Sequence, residues 1–175
     1  LNIWKKVNEL GEEFNIHGCT FDSDGAGFIN HNYRIEKGDE KEIPKRLWEK
    51  SKEHYGREYY LKTEGELTKK ILNDGEYTLI PDNHWLWFFV TSNWDVYPNF
   101  MGPAPWWKLG NLKKDNWKTI VDNYKNNNNL GLRAITEISA KELAKKYGNN
   151  EGEKLYNNES QLVEYWLGKY CRENY

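Results

Sequence analysis

The stretch NWDVYPNFMGPAPWWKLGNL, residues 93–112, packs three tryptophans and three prolines into twenty positions of a chain otherwise rich in lysine and asparagine. Just before it, from residue 77, the apolar pattern takes a period of two. YTLI and WLWFFVTSNWDVYP read as strands, the second broken at SNWD by a turn, which gives an antiparallel hairpin. In that hairpin Trp85, Trp87, Phe89 and Thr91 face one side and Leu86, Phe88 and Val90 the other. Apolar residues on both faces require cover on both sides. Working outward, NWDVYPN is the return strand, FMGPAPWWK a crossover stiffened by its prolines, and LGNL the entry to a helix.

Helices flank the hairpin. Ile3, Trp4, Val7 and Leu10 share helical spacing, and Pro44 opens a helix carrying Leu47, Trp48 and Tyr55 before Gly56. Thr63 and Glu66 form a capping box ahead of Leu67, Ile71 and Leu72, so a helix ends near Gly75. Beyond the hairpin, Asp115 is placed to cap a helix bearing Trp117, Ile120, Val121 and Tyr124, which the asparagine run 126–129 ends. Ser139 with Glu142 box the next, with Leu143 and Tyr147 inside and Gly148 as its stop. Asn158 and Gln161 open the last, which carries Leu162, Val163, Trp166, Leu167 and Tyr170. The fold class expected is α+β, an antiparallel hairpin or small sheet packed against several helices. The division expected is a mainly helical segment 1–75 and a hairpin-plus-helix part 76–175.

Composition limits the function. At 175 residues the chain can bury roughly 70% of its unfolded surface without staples. A net charge of −2 gives no overall electrostatic reason to expect nucleic acid. No apolar run approaches the ~20 residues of a membrane helix. Two cysteines, Cys19 and Cys171, cannot complete a tetrahedral metal site, and reduced thiols in a cytoplasmic protein are expected. With nine tryptophans and twelve tyrosines, rings replace aliphatic side chains as the source of core area.

Candidate chemistry gathers early, where His17, Cys19, Asp22, Asp24 and His31 lie close in sequence. As a calcium loop DSDGAG fails, because Ala26 replaces an oxygen ligand and Tyr33 stands where the closing Glu belongs. A histidine base oriented by an aspartate would need spatial proximity that sequence cannot show. Among the rings, Trp94, Trp106 and Trp107 are the candidates for exposure to a ligand, whereas Trp85, Trp87, Phe88 and Phe89 belong to a hairpin that needs covering.

The order of strand, turn with Asp, VYPN, a Pro- and aromatic-rich segment, LGNL and the NWKTIVDNY helix resembles the C-terminal SPASM or twitch region of radical SAM enzymes. In that family a cysteine ends the hairpin strand where this chain has Asn99, Gly110 and Asn111 match the Gly-Asn before the helix, and Asp115 holds a second cysteine position. The resemblance is strongest over residues 85–125. It implies a C-terminal accessory part that positions a peptide or protein substrate, and a segment 1–35 left from a barrel. It implies substrate-binding roles for Trp94, Asp95, Trp106, Trp107, Asp22, Asp24 and His31. With Asn99 and Asp115 as degenerate ligands and no three-cysteine motif, the chain is expected to hold no cluster or other metal and to have no catalytic residue of its own. S-adenosylmethionine and an iron-sulfur cluster would come only with a missing N-terminal part, as would a barrel domain for a partner. The chain starts at Leu1, which fits excision from something longer. The rival expectation is a stand-alone aromatic-rich module for a peptide or glycan, with Trp106 and Trp107 exposed and roughly coplanar. No nucleic acid or membrane partner is expected.

Overall fold

Two residues of extended chain, Lys62–Thr63 (β1), lead directly into the helix Glu64–Asp74 (α1) in a computed structural model that describes residues 31, 34–42, 45, 49, 62–74, 88–98, 103–156 and 158–175. The capping box is as expected: the Glu66 carboxylate accepts from Thr63 N at 2.8 Å, and Glu66 N donates to Thr63 Oγ1 at 3.2 Å. Leu67 and Ile71, four apart and hence on one face, are fully buried. β1 pairs antiparallel with Leu155–Tyr156 (β5), Lys62 opposite Tyr156. That pairing brings α1 against the C-terminal helices, and Leu67 and Ile71 share one core with residues as far along the chain as Cys171.

The hairpin forms as Phe88–Val90 (β2) and Asp95–Pro98 (β3), with Phe89 opposite Tyr97. A third strand, Gly110–Asn111 (β4), pairs with Asp95 and Val96, so LGNL enters the sheet before any helix begins. The central strand is covered on both faces, since Val96, Tyr97 and Pro98 are all buried. At the edge, Phe89 and Val90 lie exposed, so the expected two-sided cover fails there. Phe88 does pack, its ring edge-on to Trp117 at 5.1 Å and to Tyr124 at 5.8 Å.

The helix after β4 runs Trp117–Lys125 (α2), and its cap is Asn116, whose side chain accepts from Thr119 N at 2.8 Å. Asp115, expected there, instead accepts from Asn111 N at 2.7 Å and closes the turn between strand and helix. The asparagine run ends α2 but also starts the helix Leu130–Glu137 (α3), a helix absent from the expectations above, with Asn129 accepting from Leu132 N at 2.8 Å. Ala140–Tyr147 (α4) keeps its Ser139–Glu142 capping box, and Glu159–Asn174 (α5) its Asn158 cap. α5 buries Leu162, Val163, Trp166, Leu167 and Cys171 against α1, α3 and α4. The whole is α+β, as expected. Among the described residues no helix is long and apolar enough to cross a membrane.

Trp107 decides how the sheet joins the helices. It lies in the short 3-10 turn Pro105–Trp107, and its ring sits so close to Gly131 on α3 that a Cβ there would meet ring carbons at 2.1 to 2.5 Å. Only hydrogen on that α-carbon leaves room. Gly131→Ala is therefore expected to cost about 3 kcal/mol of folding stability, measured by urea denaturation. A loss under ~0.5 kcal/mol would mean that the ring does not occupy that place.

Candidate functional site

The chain segment 34–37 lies along 153–155. Leu155 N donates to Ile35 O and Lys37 N to Glu153 O, each at 2.9 Å. The segment brings His31 to the ring of Tyr165 on α5, stacked at 3.8 Å between centroids and within 6° of parallel. His31 Nδ1 meets the Tyr156 hydroxyl at 2.8 Å. Arg34 covers the other partner, its guanidinium 4.1 Å from the Tyr156 ring centroid and its Nη1 donating to Leu155 O at 3.1 Å. Beside His31 and Tyr165, a cleft of about 400 Å³ opens, bordered by the first residue of α1, Glu64, by the 149–154 loop and by Lys169.

Burial governs the protonation states. His31 is pulled down to about 4, first by burial and then by the positive charges of Lys154, Arg34 and Lys169, so the imidazole is neutral near pH 7. Burial also raises the Tyr156 hydroxyl well above the usual phenol range. The Tyr156 hydroxyl and Nδ1 share one hydrogen bond whose direction follows the imidazole tautomer. Glu64, 6% exposed, is pushed up by burial against the opposing pull of Lys154 and Lys169.

These groups can exchange hydrogen bonds and charge with a ligand. Among the described residues they show no nucleophile hydrogen-bonded to a base. His31 is bonded to a phenol, and among the described residues no carboxylate hydrogen-bonds its ring, as an oriented base would require. Cys171 is fully buried and its thiol is pushed up to about 12 by that burial.

The other candidate residues fall in different places. Trp94 stands at the hairpin tip, 47% exposed, in the left-handed region at φ 69°, with Lys113 Nζ 5.6 Å from its ring centroid. Asp95 is engaged with its own fold: its carboxylate meets Lys108 Nζ at 2.6 Å and accepts from Asn111 Nδ2 at 2.7 Å, and both partners hold it below its usual pKa. Trp106 and Trp107 correct the expectation of exposed rings, for they are 8% and 3% exposed and belong to the main core. The physical reason is local. Pro105 starts the 3-10 turn, and Asn129 Nδ2 donates to Trp107 O at 3.1 Å, so both rings are drawn inward under α3. Asp22, Asp24 and Asn99 lie outside the described residues, as do His17 and Cys19.

Among the described residues, His31 and Trp106 are the expected site residues that border a cleft, Trp106 at a separate one of about 540 Å³ with Lys108, Arg133 and Tyr175. Glu64, Tyr156, Tyr165, Lys154 and Lys169 were not singled out from the sequence. Glu64 reads there as an ordinary first-turn acid, and the tyrosines as core. A signal existed in EGEKLY, residues 151–156, where a glycine between two glutamates hints at close approach by another group. No family model, no curated protein and no solved structure matches the chain in comparisons with each.

His31 gives a pH dependence with a definite sign. Its folded pKa of about 4 lies below the ordinary 6.5, so its contribution is fully present above pH 6.5 and is lost as pH falls through that value toward 4. Glu64 acts oppositely, because its raised carboxyl takes up a proton more readily when folded. Between pH 6.5 and 4 the parent chain is expected to lose ~1 to 3 kcal/mol more stability than His31→Gln, by urea denaturation at each pH. Equal losses would show that His31 titrates freely.

Proposed function

We propose that this chain positions a substrate rather than transforming it, as the C-terminal accessory part of a radical SAM-like protein in the cytoplasm that acts on a peptide or protein side chain. One observation carries this reading: the hairpin, the LGNL strand and the capped helix pack together. Phe88 meets Trp117 and Tyr124, and Val96 and Ile120 are buried in one cluster with Leu109 and Leu132. That sequence of elements is the one the family resemblance rests on. The unit would present the hairpin tip, with Trp94, to a docked domain.

Two observations among the described residues support the cluster-free reading: Asp115 is engaged with Asn111, and Cys171 lies in the core. S-adenosylmethionine and a radical-generating cluster would belong to an N-terminal barrel. The alternative, a stand-alone module for a peptide or glycan, loses Trp106 and Trp107 as its platform. Among the described residues, the large rings it retains on the surface are Phe89, Trp94, Trp117 and Tyr175.

Two measurements test the accessory role. The coding region immediately upstream is expected to carry an in-frame three-cysteine motif. Its absence would remove the barrel from the account and favour the stand-alone module. Anaerobic reconstitution of the purified chain with iron and sulfide is expected to leave negligible bound iron, whereas a stoichiometric cubane cluster would contradict the reading.

A further inference from the structure

We propose that the cleft beside His31 binds a primary ammonium group, with the Glu64 carboxylate as its counter-ion. This stands on the cleft alone and holds whether or not the chain accompanies a radical SAM barrel.

Glu64 is a buried acid with no ion pair among the described residues. It is 6% exposed, it lines the cleft, and its carboxylate makes no hydrogen bond or ion pair among the described residues. An acid in the first turn of a helix ordinarily serves the free amides there. Here those amides are already satisfied: Glu64 N donates to Lys154 O at 2.7 Å, Gly65 N to Gly152 O at 2.9 Å, and Glu66 N to Thr63 Oγ1 at 3.2 Å. The carboxylate is therefore free of any capping duty. Gly152 makes room for it, since a Cβ at 152 would fall 2.6 Å from Glu64 Oε2.

A buried carboxylate costs several kcal/mol unless a positive charge meets it. Lys154 and Lys169 attract it without forming an ion pair, and their pull does not outweigh burial, which leaves the carboxyl raised. Lys154 Nζ pairs with Glu36 at 3.8 Å, and Lys169 Nζ lies 5.1 Å from the centroid of the Tyr147 ring. Of the four carboxylates that line the cleft, Glu36 pairs with Lys154 and Glu151 with Lys69, which leaves Glu64 and Glu153 without an ion pair among the described residues. The absence of any metal-holding group among the described residues turns the choice from an ion to an organic cation. Tyr147 and Tyr165 supply ring surface for an aliphatic stem and for the charge itself, and the volume lies within the range of small-ligand sites.

The full chain is to be titrated by NMR with Nα-acetyl-lysine N-methylamide, which carries a side-chain ammonium, and with alanine N-methylamide, which carries an α-ammonium. Binding of either, read from the Tyr165 and His31 ring signals, supports the proposal. The first alone assigns the site to lysine side chains, the second alone to chain termini. Nα-acetyl-norleucine N-methylamide, the neutral isostere, is expected not to bind, and Glu64→Gln to weaken the ammonium probe about tenfold or more. On the parent chain, the Glu64 carboxyl carbon is expected to titrate at lower pH when the ammonium probe is present, a readout that does not require the variant to fold. The proposal is overturned if neither ammonium probe binds, or if norleucine binds equally. It fails too if Glu64→Gln folds and binds unchanged, if the Glu64 midpoint does not move, or if Nα-acetyl-glutamate N-methylamide is preferred.

Discussion

The contact of the Trp107 ring with the bare α-carbon of Gly131 fixes the rest of the architecture. It presses the proline-rich crossover onto α3, and α3 in turn packs on α5. Asn129 reinforces the join from two sides, its oxygen capping α3 through Leu132 N and its amide holding Trp107 O. Two residues later Leu109 N donates to Val96 O at 2.8 Å, which delivers Gly110 and Asn111 to the sheet edge. Sheet and helices are thus coupled through this indole, together with Tyr97 in the main core and Val96 beside Ile120 and Leu132. Truncating a ring so enclosed ordinarily costs ~3 to 5 kcal/mol, a large part of a domain's net stability.

That coupling changes where function is to be sought. Aromatic residues in a turn-rich stretch invite a ligand-stacking interpretation, but two of its three tryptophans serve the core. Asp95, too, is occupied in holding Lys108 and Asn111. Polar and charged groups gather instead around His31 and Glu64, beside the 149–154 loop and α5. There burial, with the charges of Lys154, Arg34 and Lys169, keeps an imidazole neutral, and burial raises a carboxyl.

Short-range signals were legible in the sequence. Thr63 with Glu66, Ser139 with Glu142 and Asn158 with Gln161 each mark a helix start through atoms only three residues apart, so propensity and geometry coincide. The hairpin also followed from its period of two. α3 did not, because Asn126 to Asn129 resembles a plain polar loop and Gly131 lowers helix propensity, while the packing that requires the glycine comes from Trp107. Asp115 and Asn116 are both good caps by type, and only the pull of Asn111 on Asp115 decides between them. The cleft was least legible: His31 and Tyr156 are 125 residues apart, and no local pattern links them.

The central claim is that the rings of residues 93–112 divide, with Trp94 outside and Trp106 and Trp107 inside the core. Indole N–H signals of the assigned protein, recorded with and without a soluble paramagnetic agent, test it most directly. The account requires that the Trp94 and Trp117 signals broaden while those of Trp106, Trp107 and Trp166 persist. Broadening of Trp106 and Trp107 to the extent seen for Trp94 would contradict it and return the aromatic stretch to the surface.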